Sequence, residues 1–301
     1  SAEVLEVQDE DMGQTPPHEQ NDLPRSEDIQ EQRRYPSRIR RQTERYAYNV
    51  QASVYDADPA TLDEAMSSKY ASEWKKAIQS ELSALKKNDT WDLVPLPKGR
   101  KALGCKLVFR IKRLPDGKID RFKARLVVKG FMQKEGFDYA ETYSPVINFA
   151  TVRVALSIAA SAGMRIHQMD VTTAFLNGEV TEEVYMKQPQ GFEEEGKEDL
   201  VCHLKKALYG LKQAPRIWFK MLSSDLKNIG FSVVEGVECL FVLKRSGFYV
   251  YVLVYVDDVL VMSSSVWLID WTKQELKSLY NMKDLGEVRH FLGVEIGRAH
   301  V

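Results

Sequence analysis

Two adjacent aspartates, Asp257 and Asp258, sit inside the most apolar stretch of the chain, FYVYVLVYVDDVLVM over residues 248–262. Nine apolar or aromatic residues precede the pair and four follow it. Burying one unpaired carboxylate is costly, and burying two neighbours costs more. Either two β-runs meet in a hairpin with the pair exposed at its tip, since Asp tolerates turn conformations, or a positive charge sits on the pair and makes it a metal site. A third carboxylate favours the metal. Asp170, in MRIHQMDVTTAFLNG (164–178), follows a short strand-like segment and precedes a turn ending at Asn177-Gly178. Two strand-borne acidic sites in one domain suggest hard-cation ligation by oxygen, which suits magnesium or manganese. His167, beside the Asp170 strand, reads as a packed or surface histidine rather than a ligand.

The elements that must position these carboxylates follow from pattern. Thr61–Glu64 has the form of a capping box. Helical spacing follows at Trp74, Ile78, Leu82 and Leu85, ending at Asn88. From Trp91 to Val128 the pattern is β (WDLVPL, CKLVFRIKRL, a turn at 115–117, then IDRFKARLVVKGF) and predicts a short antiparallel sheet studded with Lys and Arg. Val152–Ala162 reads as a buried helix, followed by the Asp170 strand and an acidic loop at Glu193–Asp199. A helix begins near Pro215 and stops at Gly230. Two β-runs flank the Asp257 turn, another helix covers Trp271–Tyr280, and a terminal strand covers Arg289–Ile296. The order strand, helix, hairpin, helix, strand fits an α+β fold with a ferredoxin-like split βαβ. Asp170 and Asp257-Asp258 would then meet at one edge of its sheet.

The chain has 301 residues, enough for one large domain or two modest ones. Its net charge of −1 conceals an asymmetry. Residues 1–30 hold nine Asp or Glu against one Arg, and residues 33–45 hold six Arg against one Glu. Lys and Arg dominate again over residues 98–129, so a neutral chain can still present a basic groove. Residues 1–60 are polar and poor in large apolar groups, and read as a disordered linker, acidic and then basic. Its stretch RRYPSRIRRQTERY (33–46) suits either a nucleic-acid contact or a solvated linker. Three widely spaced cysteines, with no CxxC, argue for reduced thiols and against a zinc site or disulfide frame. No signal peptide or membrane span is visible; the apolar run at 248–262 is shorter than the roughly 20 residues a span needs and is split by charge.

Five ordered blocks carry a resemblance: KARLVVKGFMQKEGFDYAETYSPV (123–146), HQMDVTTAFLNGEVTEEVYMKQPQGF (167–192), ALYGLKQAPRIWF (207–219), YVDD (255–258) and MKDLGEVRHFLGVEI (282–296). Together they resemble the reverse transcriptase of copia-type (Pseudoviridae-like) LTR retrotransposons, a fragment of a Pol polyprotein. The resemblance implies right-hand polymerase fingers and palm over residues 61–301, with core motifs over 88–296. It makes residues 1–60 the junction between integrase and reverse transcriptase. Thumb, connection and RNase H are expected to be missing beyond the primer grip. Residues 296–301, IGRAHV, match one reading frame of a common sequencing adapter and are expected to be read-through.

The resemblance also implies roles. Asp170, Asp257 and Asp258 would be the catalytic carboxylates and hold two Mg2+ ions, with Mn2+ an alternative, for transfer of a nucleotide from a dNTP to a primer 3′-OH. Lys123 and Arg125 would be the candidates for gripping the triphosphate, one or the other, with an ordinary strand-face charge as the alternative. Phe175 would be the steric gate against a ribose 2′-OH, or else a core aromatic. Gly210 and Lys212 would contact the incoming nucleotide and template. Tyr209 falls where many retroviral enzymes carry Gln, so its contact must differ. Tyr255 would pack near the primer terminus, and Phe291, Leu292 and Gly293 would belong to the primer grip. Implied partners are an RNA or DNA template with primer, dNTPs, and the integrase and RNase H parts of the polyprotein, with no membrane. The implied location is a cytoplasmic virus-like particle, with nuclear entry later. The competing reading is a catalytically weak or inactive, truncated nucleic-acid-binding remnant.

Overall fold

The structure, a computed structural model, describes residues 57–114 and 116–297. The expected linker over 1–60 and the IGRAHV segment lie for the most part outside the described residues. Helices α1 (Leu62–Ser67) and α2 (Ala71–Lys87) lead into strands β1 (Trp91–Val94), β2 (Cys105–Arg113) and β3 (Ile119–Val128). Helix α3 (Phe149–Ser161) precedes β4 (Arg165–Val171), β5 (Tyr185–Met186) and β6 (Val201–Leu204). Helix α4 (Ala214–Ile229) is followed by β7 (Ser232–Val234), β8 (Val237–Arg245), β9 (Phe248–Tyr255) and β10 (Asp258–Ser263). Helix α5 (Val266–Leu279), β11 (Met282–Glu287) and a small hairpin of β12 (His290–Phe291) and β13 (Val294–Glu295) complete the described chain.

The central sheet has six strands in the order β11-β4-β10-β9-β8-β7, every pair antiparallel. Strands β4, β9, β10 and β11, with α4 and α5 as crossovers, form the split βαβ arrangement; β7 and β8 are an insertion that extends the sheet beyond β9. Side-chain alternation divides the strands between two cores. Val250, Val252, Val254, Val259, Val261 and Met169 pack with Trp218 and Leu222 of α4 and with Leu268 and Leu276 of α5. Leu253, Leu260 and Met262 face the other way and pack with Val152, Ala155 and Ala159 of α3 and with Phe291. A sheet covered on both faces needs strands that are apolar on both faces. That is why residues 248–262 read as one hydrophobic run rather than as an alternation.

A separate layer packs α2 on the β2–β3 hairpin. The Trp74 ring meets Phe109 and Phe122 edge-on at 5.2 and 4.7 Å between centroids. Asp58, inside the stretch read as linker, accepts hydrogen bonds from the Ile111 backbone N–H at 2.6 Å and from Arg110 at 2.9 Å.

Several elements depart from expectation. The capping-box helix is two helices, because Ser68 is extended and interrupts the turn between α1 and α2. Strand β1 pairs with β6 rather than with β2, leaving β2–β3 a two-stranded ribbon. Pro95 and Pro97 follow β1 and cannot donate to a ladder, so the chain leaves that sheet. Helix α3 buries one face only, with Val154 and Ile158 more than half exposed. Helix α5 starts at Val266, five residues earlier than expected, capped by the Ser265 hydroxyl, which accepts from the Leu268 N–H at 3.4 Å. The sheet strand after it is β11, and residues 289–296 form the β12–β13 hairpin instead of one strand.

The two-stranded ribbon is anchored to the rest of the domain through two glycines. The Val128 N–H donates to the Tyr209 carbonyl at 2.8 Å. A Cβ on Gly210, whose φ is +94°, would lie 2.1 Å from the Val128 carbonyl oxygen, and one on Gly130 would lie 1.9 Å from the Gly210 oxygen. Backbone meets backbone here, and no side chain can yield. Gly210→Ala should therefore cost more than about 2 kcal/mol in denaturant unfolding, through left-handed strain and steric overlap together. Gly99→Ala, at a φ of +81° in open space, should cost about 1 kcal/mol. Equal costs would show that the close approach is not required.

Candidate active site

The carboxylates are placed by strand register. Asp258, the first residue of β10, is the cross-strand partner of Asp170 near the end of β4. Both lie on the α3 side of the sheet, in line with Leu260 and Ile166. Asp257 occupies the two-residue turn between β9 and β10, which the Tyr255–Asp258 pair closes. Burial pushes the Asp258 carboxyl above the usual carboxylate range; a 3.0 Å hydrogen bond from the Gln168 amide opposes this, and the charges of Asp257 and Asp170 reinforce it. Asp258 therefore feels both of the other carboxylates.

The turn is strained. Val256, a β-branched residue, has φ +55°, a conformation that costs on the order of 1–3 kcal/mol. Two hydrogen bonds hold it. The buried Trp218 indole N–H of α4 donates to the Val256 carbonyl at 2.6 Å, and the Val171 backbone N–H of β4 donates to the Asp257 carbonyl at 2.9 Å. Trp218 is itself braced edge-on by Tyr280 at 5.0 Å, and the Tyr280 hydroxyl donates to Asp225 on the same helix as Trp218.

A cleft beside Asp170 gathers Lys123 and Arg125 from β3, Phe175, Tyr209, Glu81 and Lys283. Lys123 and Arg125 alternate on one face of β3, whereas Ala124 and Leu126 are buried on the other. The Arg125 guanidinium lies 4.3 Å over the Tyr209 ring, and that ring meets Phe175 at 4.6 Å and 62°. Burial pushes the Tyr209 hydroxyl up to about 12, opposed by Arg125 and reinforced by Asp257, Glu81 and Asp170. Lys123 is pulled below the ordinary lysine value by burial and by Arg125, with Asp170 pulling the other way. Glu81 is raised by burial despite accepting from the Leu126 N–H at 3.1 Å and facing Arg125 and Lys123.

The structure thus lines one cleft with Asp170, Lys123, Arg125 and Phe175, and sets Asp258 across the strand pair from Asp170 with Asp257 in the adjoining turn. Tyr255 joins Phe291 and Leu292 in the second core, on the carboxylate side of the sheet, and Gly293 follows Leu292 in the β12–β13 turn with φ +80°. Gly210 and Lys212 are placed differently. Gly210 is the backbone contact to Val128, and Lys212 is engaged with the 133–139 loop. Its ammonium donates to the Tyr139 hydroxyl at 3.1 Å and its N–H to the Gln133 side chain at 2.8 Å. Sequence reasoning missed Lys283, an exposed cation directly across the strand pair from Asp170. It also left the contact of Tyr209 undefined. The signal for Lys283 is the basic residue heading MKDLGEV, but only the β11–β4 register shows where it points.

Carboxylate oxygens are hard donors of the kind that suit a divalent cation such as magnesium. Among the described residues, however, no group of three or more His, Cys, Asp or Glu side chains stands close enough to hold a metal ion. The carboxylates are neighbours that have yet to converge, with Asp258 turned to Gln168. No described helix is long and apolar enough to cross a membrane.

An acidic turn on a split βαβ sheet, faced by a basic strand, is the arrangement expected of a polymerase-like domain, and relatives bear on it directly. The reverse transcriptase (RNA-dependent DNA polymerase) family profile matches residues 88–300. The chain is 44% identical over 244 residues to the retrovirus-related Pol polyprotein from transposon TNT 1-94 of Nicotiana tabacum, covering 81% of this chain and 18% of that protein. It is 41% identical over 261 residues to the retrovirus-related Pol polyprotein from transposon RE2 of Arabidopsis thaliana, covering 86% of this chain and 18% of that protein. The prototype foamy virus protease–reverse transcriptase aligns over 69% of this chain and 22% of its own, at 14% identity and a TM-score of 0.37. The chain belongs to the reverse transcriptase family, in its copia-type Pol polyprotein branch. It spans about a fifth of the length of these plant relatives.

Trp218→Phe keeps the ring but deletes the donor, leaving the Val256 carbonyl unpaired. It should lower stability by about 1–2 kcal/mol in denaturant unfolding; an unchanged midpoint would mean the turn holds itself.

Asp258→Asn should do the reverse. A carboxyl raised by burial and like charge weakens the fold above its folded pKa, and the deficit disappears as the pH falls below the ordinary value of 3.8. In chelator, the variant should gain about 0.5–1 kcal/mol near neutral pH, a figure kept small because solvent screens a half-exposed group. It should match the wild type at about pH 3. A gain that persists in acid would assign the effect to something other than charge.

Proposed function

We propose that this domain performs RNA-directed DNA synthesis, joining a dNTP to a primer 3′-OH, with Asp170, Asp257 and Asp258 as its catalytic carboxylates. The observation that carries this is the cross-strand pairing of Asp258 with Asp170 beside the Asp257 turn, across a cleft from Lys123 and Arg125. On this reading the split βαβ sheet is the palm, and α2 with the β2–β3 ribbon belongs to the fingers. The β12–β13 hairpin is the primer grip.

The chain's own residues divide the work. Arg125 and Lys123 bind the triphosphate: Arg125 presents the planar fork suited to phosphate, and its ring contact with Tyr209 fixes the plane of that fork. Lys123 is partly desolvated and beside Arg125, so an arriving phosphate would stabilise its charged form. Phe175, pinned edge-on by Tyr209, holds a ring at the floor of the cleft where a ribose 2′-OH would collide. Tyr255, with Phe291 and Leu292, seats the primer end on the carboxylate side of the sheet. Magnesium held by Asp170, Asp257 and Asp258 would supply a lowered hydroxyl pKa and charge stabilisation of the departing pyrophosphate. Gly210 fixes the ribbon against the palm, and Lys212 organises the 133–139 loop. The template–primer is held mainly through phosphates, so binding should weaken steeply with salt. In the Pol context of its relatives, integrase and RNase H would be neighbours in the same polyprotein.

One observation favours the second reading, a nucleic-acid-binding remnant without turnover: the carboxylates have not converged into a ligand set. Primer extension on oligo(dT)-primed poly(rA) with magnesium separates the two. The wild-type chain should incorporate dTTP, and Asp257→Asn should lose on the order of a thousandfold or more. Retained hybrid binding with no wild-type incorporation would establish the remnant instead.

A further inference from the structure

The stretch SSSVWLIDW (263–271) carries two tryptophans that the site leaves unused. Because α5 begins at Val266, Trp267 and Trp271 lie four residues apart on one helical face. Both meet Arg245, the last residue of β8. Its guanidinium carbon lies 4.4 Å from the Trp271 ring centroid and 5.4 Å from that of Trp267. Trp271 leans on the main core, whereas Trp267 is 54% exposed. Phe248, paired with Arg245 across the Ser246-Gly247 turn, is 48% exposed. Both turn residues have positive φ, which fits a tight type I′ hairpin and holds Arg245 in fixed register.

Both indole rings lie against the guanidinium, whose N–H donors make no hydrogen bond or ion pair among the described residues. Among the described residues these two rings are Arg245's contacts, with no carboxylate opposite it. The nearest acid on the helix, Asp270, is turned to Lys273 at 3.7 Å. Lys244 adds a second cation at the same hairpin. A pre-oriented guanidinium without an anion suits a phosphate, and an exposed indole beside it suits a nucleobase.

We propose that Arg245, Trp267 and Phe248, braced by Trp271, form a second contact for single-stranded nucleic acid, with phosphate on Arg245 and a base stacked on Trp267. Strand β9 runs from Phe248 to Tyr255, about 23 Å at the usual rise per residue, so this surface cannot touch the nucleotide being added. The choice of nucleic acid as the polyanion rests on the polymerase reading.

The test uses the full chain without dNTPs. A fluorescein-labelled oligouridylate of about 12 nucleotides, within the span one aromatic-basic surface occupies, reports affinity by anisotropy. A 5-iodouridine version of the same oligonucleotide reports contacts by cross-linking and mass spectrometry. Trp267→Ala should weaken binding about tenfold, with most affinity kept in Trp267→Phe. Arg245→Gln should reduce the slope of log affinity against log salt by about one. Cross-links should include Trp267. None of these readouts requires incorporation, so a chain inactive in primer extension would still be informative here. Unchanged affinity and salt slope in both variants, with cross-links confined to the cleft around Arg125, would overturn the proposal. So would a blue shift of Trp267 emission on phosphatidylserine vesicles that oligouridylate fails to reverse, which would assign the surface to lipid headgroups.

Discussion

The turn between β9 and β10 is the constraint on which the other parts depend. It must place two aspartates at the lip of an otherwise apolar sheet, and it does so with a valine in the left-handed region. Such a turn survives only where the surroundings determine it more strongly than local preference does. Here the Trp218 indole fixes one carbonyl and the Val171 amide fixes the next. Those two donors come from α4 and β4, the elements on either side of the turn in the split βαβ. Trp218 in turn rests on Tyr280, at the junction of α5 and β11. Helix α4, strand β4 and the junction of α5 with β11 therefore share in holding one strained residue, and a shift of α4 would disturb the turn that carries Asp257.

Charge works against that geometry. Three carboxylates share one end of the sheet, and burial raises the Asp258 carboxyl, with the charges of Asp257 and Asp170 adding to the shift. Across the cleft, Lys123 is held below its ordinary pKa by burial and by Arg125, and Glu81 is raised amid its cationic neighbours. These shifts are opposed by contacts already in place: the Gln168 amide on Asp258, the Asp170 charge on Lys123 and the cations around Glu81.

The sequence made part of this legible. The aspartates stood out because their neighbours were apolar on both sides of the pair, a pattern that reflects a sheet covered by α4 and α5 on one face and α3 on the other. The stop of α4 was readable from Gly230, whose φ of +112° only glycine adopts readily. Long-range pairing was not readable. Strand β1 looked like a partner for β2 because the two are adjacent in sequence, yet its partner β6 is more than a hundred residues away. Residues 282–287 mix Lys, Asp and Gly and lack strand character, and become β11 only because β4 offers an open edge. Helix α5 begins five residues before the expected Trp271 because Ser265 caps it, a signal that one serine in a run of three does not announce. Lys283 and the full role of Tyr209 lay beyond reach because each depends on register rather than on type.

Tyr209 shows why position in the fold outweighs residue type at this site. Its backbone carbonyl accepts from Val128 at the end of β3, its ring carries Arg125 on one side and meets Phe175 on another, and Gly210 beside it leaves no room for a side chain. One residue therefore sets the height of the cationic strand above the aspartates and the place of the ring that floors the cleft. A polar glutamine there could reproduce the backbone contact but neither aromatic contact. Arg125 would then lose the surface that orients its guanidinium, and Phe175 the ring that pins it. A change of side chain at this position thus calls for compensation at two others, and the aromatic–cationic trio of Arg125, Tyr209 and Phe175 is best understood as a unit.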